Sequence, residues 1–157
     1  MYNIMLFIHV LLAFAMVSGA GAAHVASLSL GKSRSTRVIA HLASLRLFMA
    51  KAVVMPAAIL TIIFGMGLVH PQGYKVSQPW ILISLVAILL IMLVAMIWVA
   101  PRARRIRDRA LELLKTGTEE SDELRADAGV LISYAWADYV LTAVIISLMI
   151  FKPGSGA

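Results

Sequence analysis

The amino-acid sequence predicts an all-α, polytopic membrane protein built as a four-transmembrane-helix bundle. Of the 157 residues, 61% are hydrophobic, and the mean hydropathy is +0.91. A soluble domain this apolar has too little polar surface to cover itself. The apolar residues fall in long runs separated by short charged stretches, which is typical of a chain that crosses a bilayer repeatedly. Because four spans and their loops use the whole length, we expect residues 1–157 to form one domain.

Four apolar runs are long enough to cross the bilayer. The predicted spans are residues 4–30, 47–69, 80–100 and 130–151. About 20 residues at 1.5 Å per residue cover a hydrocarbon core of about 30 Å. Backbone groups in lipid must be satisfied internally, so each span is expected to be a helix. Pro56 is expected to kink the second span, and Pro101 is expected to end the third.

The distribution of Lys and Arg predicts the orientation. Most of them lie in the loop between the first two spans and in a basic loop of residues 101–129, whereas the loop between the second and third spans has only Lys75. The positive-inside rule then places both basic loops in the cytoplasm, with both termini outside. Within the basic loop, Ile106, Ala110 and Leu113 recur at helical spacing. This predicts either an extension of the third helix or an amphipathic helix on the membrane surface.

The composition also excludes several kinds of site. The chain has no cysteine, which excludes disulfides, thiolate ligands and a cysteine nucleophile. It shows no Gly-rich phosphate loop, no Ser-His-Asp pattern, no zinc motif and no paired carboxylates at catalytic spacing. The net charge of +6 comes from basic residues beside apolar spans, without interleaved aromatic residues. This favours the lipid bilayer over nucleic acid as the partner.

Ionisable side chains within spans are functional candidates, because a charge in hydrocarbon is costly. The five candidates are His9, His24, Arg46, Lys51 and Asp138. Counting 1.5 Å per residue, His9 lies about 10 Å from the outer surface and His24 about 22 Å further along. Lys51 and Asp138 fall at the level of His24, so we predict that Asp138 faces the bundle and pairs with Lys51 or His24. Such an inner polar cluster either fixes the helix register or forms a polar pocket or proton path.

The histidines are also candidate haem ligands. A haem requires two facing ligands at one depth, or one ligand and an open side. His9 has no histidine opposite it, whereas His24 could meet His41 near the cytoplasmic side. His9 is therefore the leading candidate ligand of a haem b, and His24 with His41 the weaker one. No residue set is predicted to bind a metal ion.

Small residues recur at four-residue spacing in the first span. The two rows are Ala15, Gly19 and Ala23, and Ser18, Ala22 and Ala26. Rows of this kind let helix backbones approach closely in lipid, so we expect a helix-packing surface here. Whether the partner is another helix of this chain, a homo-oligomer or a larger membrane complex stays open.

Three features carry a resemblance to known families: His9, the stretch KAVVMPAAILTIIFG at residues 51–65, and FKPG at residues 151–154. The chain resembles a widespread bacterial family of small four-helix predicted integral membrane proteins, a domain of unknown function. It is more distantly similar to the HemJ-type protoporphyrinogen oxidases, which are four-helix membrane proteins that bind haem. In that comparison His9 matches a first-span histidine and Lys51 a basic residue at the start of the second span. The third-span histidine of HemJ-type proteins has no counterpart here.

Three functional hypotheses follow from these observations. The first is a non-enzymatic structural, accessory or ligand-binding membrane protein that uses the inner polar cluster. The second, implied by the resemblance, is a haem- or porphyrin-binding redox protein that uses His9. The third is a small transporter or a proton conduit through Asp138.

Overall fold

The structure, a computed structural model, describes residues 1–117 and 122–153. These residues form helices and no strand, which confirms the predicted all-α class. Four helices are long and apolar enough to cross a membrane. They are α1 (Tyr2–Lys32), α2 (Thr36–Gln72), α3 (Pro79–Thr116) and α4 (Asp122–Phe151).

The helices alternate in direction, as their contacts show. His9 of α1 reaches Thr61 of α2 near one end of the bundle, and Ser27 reaches Arg46 near the other. We call the end that holds the α1–α2 turn the basic end, because most Lys and Arg residues lie there. The opposite end, which holds the α2–α3 loop, is the distal end.

Two π-helical segments interrupt the long helices, and each lies just before a proline. Met49–Val54 precedes Pro56 in α2, and Ala95–Val99 precedes Pro101 in α3. Proline lacks an N–H, so one carbonyl in the preceding turn loses its helical partner, and a local π adjustment re-satisfies the backbone. The prediction that Pro101 ends the third helix is therefore wrong: α3 continues through it to Thr116. The apolar spacing in the basic loop belongs to an extension of α3.

The largest buried cluster lies at the basic end, where the first part of α2 packs along the α3 extension. Three alanines on this contact, Ala43, Ala103 and Ala110, are fully buried. Their small side chains let the two helices approach closely. Ile106 of α3 and Leu131 of α4 are also fully buried there. The apolar face of the extension is thus taken up by contact with the bundle.

Towards the distal end the helices pack mainly as two pairs. The last part of α2 lies against α1, and the first part of α3 lies against α4, whereas α2 and α3 contact each other sparsely. α1 also packs against α4 and so joins the two pairs. Large apolar side chains such as Phe7, Phe14 and Leu90 point outward and are exposed, as expected for a surface that faces lipid.

Candidate functional site

A polar cluster lies between the helices in the half of the bundle nearer the basic end. Its members come from α1, α2 and α4: His24, Ser27, Arg46, Tyr134 and Asp138. Arg46 is the central member and is only 5% exposed. Its Nε donates to the Ser27 Oγ at 2.8 Å, and Ser27 donates to the Ala23 carbonyl at 2.9 Å. This chain of hydrogen bonds fixes the guanidinium against α1.

The α4 side of the polar cluster consists of Tyr134 and Asp138. The two residues are four apart on one helix and therefore share a face. Both interact electrostatically with Arg46. The Tyr134 hydroxyl donates to the Ile91 carbonyl of α3 at 3.2 Å. All four helices therefore meet at this level of the bundle.

His24 lies at the edge of the polar cluster, between α1 and α4. Its ring packs edge-on against Trp136, with centroids 5.3 Å apart, and tilted against Tyr139 at 5.8 Å. It also interacts electrostatically with Asp138. Of the two partners predicted for Asp138, the structure thus places His24 beside it.

Arg46 takes the position that the sequence assigned to Lys51. Lys51 is exposed, and the charged groups that act on Asp138 are Arg46 and His24. Lys51 lies five residues after Arg46, within the π segment, and its side chain is on the exposed side of α2, whereas Arg46 faces the bundle. The second helix begins at Thr36, before the predicted span, and this brings Arg46 inside. Ile39, Ala43 and Arg46 recur at the spacing of one helix face, and all three are buried. This helical spacing in the sequence could have identified Arg46 as a residue that faces the bundle.

His9 occupies a separate place nearer the distal end. Its Nδ1 lies 2.9 Å from the Thr61 carbonyl oxygen. A carbonyl only accepts, so Nδ1 carries a proton, and the neutral tautomer that fits this bond has its lone pair on Nε2. The ring lies against Gly65, where an ideal Cβ would be 2.8 Å from the His9 Cε1. Thr61 is buried, and its Oγ1 has no hydrogen-bond partner among the described residues.

Comparison of the sequence with known protein families identifies the family of this chain. The profile of the family described as predicted integral membrane protein (DUF2269) matches residues 3–153. The chain belongs to this family. No curated protein and no solved structure matches the chain. The four-helix family predicted from the sequence is therefore confirmed, whereas the similarity to HemJ-type proteins stays a sequence-based expectation.

The structure does not bring the other histidines of this DUF2269 protein together. His41 is exposed, because the buried face of its helix runs through Ile39, Ala40 and Ala43. His24 faces α4 instead. Among the side chains that the structure describes, no three His, Cys, Asp or Glu residues are placed to hold a metal ion. His9 therefore lies apart from both His24 and His41, against α2.

The small residues of α1 lie on its packed side to different degrees. Gly19 is buried against α2, and an ideal Cβ there would be 2.8 Å from Val53 and 3.1 Å from Val54. Ala23 and Ala26 are buried as well, Ala15 and Ala22 are partly buried, and Ser18 is exposed. The row of Ala15, Gly19 and Ala23 therefore includes the close approach of α1 to the π segment of α2.

Proposed function

We propose that this protein is a non-enzymatic ligand-binding bundle and that the polar cluster is its binding site. The proposal rests on one observation, the small number of hydrogen bonds made by the buried Arg46 guanidinium. A guanidinium has five N–H donors, and within the described chain the hydrogen bond of Arg46 is the single one from Nε to Ser27. Asp138 and Tyr134 act on it through space. A buried charge with unused donors is costly, and a bound polar molecule would relieve that cost.

The side chains of the polar cluster determine which charges and hydrogen-bonding groups a ligand needs in order to bind there. Arg46 offers N–H donors, and Asp138, which interacts with both Arg46 and the His24 imidazole, offers carboxylate oxygens. A small molecule with an anionic acceptor for the guanidinium and a cationic donor for the carboxylate satisfies both charges at once. Small zwitterions such as amino acids have this chemistry. The alternative is that the cluster only fixes helix register, which buried ion pairs also do.

Thermal stability in detergent separates these two roles. Ligands that bind the folded state raise its melting temperature, so a panel of amino acids, simple carboxylates and simple amines is added to the purified protein. We expect zwitterions to stabilise the wild type, and Arg46→Gln and Asp138→Asn to lose that response. Lys51→Gln is the matched control and should keep it. If no compound stabilises the wild type while Asp138→Asn lowers the melting temperature, the polar cluster is structural.

We also propose that the basic end lies in the cytoplasm of a bacterial inner membrane, with both chain termini outside. The α3 extension supports this orientation, since it carries the arginines Arg102, Arg104, Arg105, Arg107 and Arg109. Alkaline phosphatase fused after Pro153 is expected to be active, and the same enzyme fused after Gly117 inactive. The opposite pattern would reverse the topology.

A second candidate function, haem binding, is favoured by the hydrogen bond of His9. Metal-ligating histidines usually donate their other ring N–H to a carbonyl or carboxylate, and the His9 Nδ1 does so to Thr61. The His9 Nε2 would be the ligating atom, and a haem would supply electron-transfer chemistry. Visible spectra of protein from haem-supplied cells test this. We expect a Soret band that His9→Ala abolishes and His41→Ala leaves intact; a wild type without the band rules the candidate out.

A further inference from the structure

A second group of polar side chains lies at the distal end, away from the polar cluster. We call it the distal site; its residues are Tyr74, Gln78, Trp80, Ser84 and Lys152. The Lys152 Nζ donates to the Tyr74 hydroxyl at 3.2 Å. It also lies 5.0 Å from the centre of the Tyr74 ring and 5.9 Å from that of Trp80. These contacts tie the end of α4 to the loop and first turn that begin α3.

Among the residues that the structure describes, no acidic side chain lies at the end of the molecule that holds Lys152. All acidic residues of the chain lie between positions 108 and 138. The nearest in sequence, Asp138, is 14 residues before Lys152, or about 21 Å along a helix. Cation–π contacts and one hydroxyl stabilise the ammonium but do not neutralise it. The described side chains of the distal site therefore carry a net positive charge, which favours the binding of an anion.

Two buried side chains in the first turns of α3 have polar groups without partners, and the ring of one of them, Trp80, lies beside this ammonium. Trp80 is 6% exposed and Ser84 1% exposed, and neither the Trp80 Nε1 nor the Ser84 Oγ has a hydrogen-bond partner in the described chain. They are four residues apart and share one face of α3. Other helical serines, such as Ser27 and Ser147, donate to the carbonyl four residues earlier. Unsatisfied buried groups of this kind call for a bound partner.

Trp80 does not act as an ordinary interfacial anchor. Tryptophans of the aromatic belt face the lipid at headgroup level, whereas Trp80 is enclosed by the bundle and meets Tyr74 edge-on at 5.3 Å. Its indole N–H is a donor and cannot accept. An acceptor is therefore the partner that the indole lacks.

The backbone at the distal site favours the same kind of ligand. α3 begins at Pro79, so Trp80 lies in its first turn, where the positive end of the helix dipole favours an anion. The buried Gln78 Oε1 also has no partner within the residues described. Rotation of that amide by 180° presents its NH₂ group instead, so Gln78 can donate to the same ligand.

We propose that the distal site binds a phosphate-type oxyanion, held by the Lys152 ammonium, the Trp80 N–H and the Ser84 hydroxyl. The ligand is either the phosphodiester of an anionic lipid headgroup or free phosphate, since both present the same oxygens. The distal site shares no residue with the polar cluster, so this proposal goes beyond the proposed function and does not depend on it.

Native mass spectrometry of the full-length, delipidated protein tests the proposal. Three probes are added separately: phosphatidylglycerol, phosphatidylcholine and inorganic phosphate. We expect saturable binding of phosphatidylglycerol or of phosphate, and weaker binding of zwitterionic phosphatidylcholine. Lys152→Gln should weaken that binding at least about tenfold, because a hydrogen bond to a charged group is lost.

Two conservative variants keep the test independent of folding. Trp80→Phe retains an aromatic ring but removes the N–H, and Ser84→Ala removes one hydroxyl. Each is expected to weaken binding several-fold. The matched controls are Trp98→Phe, at an exposed tryptophan near the basic end, and Ser147→Ala, at a serine that bonds its own helix.

The outcomes distinguish the two sources and can overturn the proposal. Binding of both phosphatidylglycerol and inorganic phosphate, in competition, assigns a free-oxyanion site. Binding of phosphatidylglycerol without phosphate competition assigns a lipid headgroup site. If neither binds, or if Lys152→Gln, Trp80→Phe and Ser84→Ala bind as the control variants do, the proposal is wrong.

Discussion

Substitution of Gly65 by alanine tests whether His9 is held in place by its contact with α2. The ideal Cβ of the new alanine would lie 2.8 Å from the His9 Cε1 and 3.1 Å from Nδ1. Carbon atoms rest about 3.5–4.0 Å apart, so the imidazole must move. The second of these two atoms, Nδ1, is the one that donates to the Thr61 carbonyl at 2.9 Å. The substitution therefore acts on both the packing and the hydrogen bond.

The expected magnitude follows from three contributions. Overpacking of a tight contact costs about 1–3 kcal/mol, and a lost internal hydrogen bond costs about 1 kcal/mol. The better helix propensity of alanine offsets about 1 kcal/mol. The free energy of unfolding of Gly65→Ala is thus expected to fall by about 1–3 kcal/mol relative to the wild type. Reversible unfolding in mixed detergent and SDS micelles, followed by tryptophan fluorescence, measures this difference.

Gly21 provides the control, because nothing lies within 4 Å of an ideal Cβ at that position. Gly21→Ala is expected to leave the stability unchanged or to raise it by up to about 1 kcal/mol. In a His9→Ala background, where the imidazole is absent, Gly65→Ala should lose most of its cost, as contacting residues are non-additive. Equal effects of Gly65→Ala and Gly21→Ala, or the same cost with and without the imidazole, would refute the reasoning.

Three further substitutions probe the basic half of the bundle. Arg46→Met should lower the unfolding free energy by about 3 kcal/mol, because it removes the buried guanidinium that interacts with the partly buried Asp138. Lys51→Met, at an exposed position, should change it little. Equal effects of the two substitutions in the same unfolding assay would contradict this placement. Ser27→Ala removes the acceptor of the Arg46 Nε and should lower the free energy of unfolding by about 1–3 kcal/mol. The loss should be smaller than that of Arg46→Met if the guanidinium finds another hydrogen-bond partner. Ala103→Leu inserts a large side chain at a fully buried helix contact and should lower the free energy of unfolding by about 1–3 kcal/mol. Limited proteolysis should then cleave the α3 extension faster than in the wild type. An unchanged cleavage rate would show that the extension is not packed against the bundle.

The outline of the fold was predictable, because its cause is a local property of the chain. Long apolar runs identify helices that can cross a membrane without any knowledge of their neighbours. The extension of α3 was partly predictable, since Ile106, Ala110 and Leu113 show helical spacing. Its continuity through Pro101 was not, because the π segment Ala95–Val99 that accommodates the proline has no clear sequence signal.

The candidate sites were predictable only in part. Depth along a span follows from counting residues, and this separated His9 from His24. The angle around each helix axis does not follow from counting when most positions are apolar. Arg46, just before the predicted second span, was therefore left out of the predicted inner polar cluster, whereas the structure turns it inward onto Ser27.

By itself, the sequence determined that this is a four-helix membrane protein with a strongly basic end, because composition and the spacing of charges act locally along the chain. Tertiary structure decided which polar groups meet. Lys152 approaches Tyr74, His9 approaches Thr61, and Arg46 approaches Asp138, in each case across tens of residues of sequence. The physical reason is that helix rotation and register are set by packing between helices, where small residues such as Gly19 and Gly65 allow close approach.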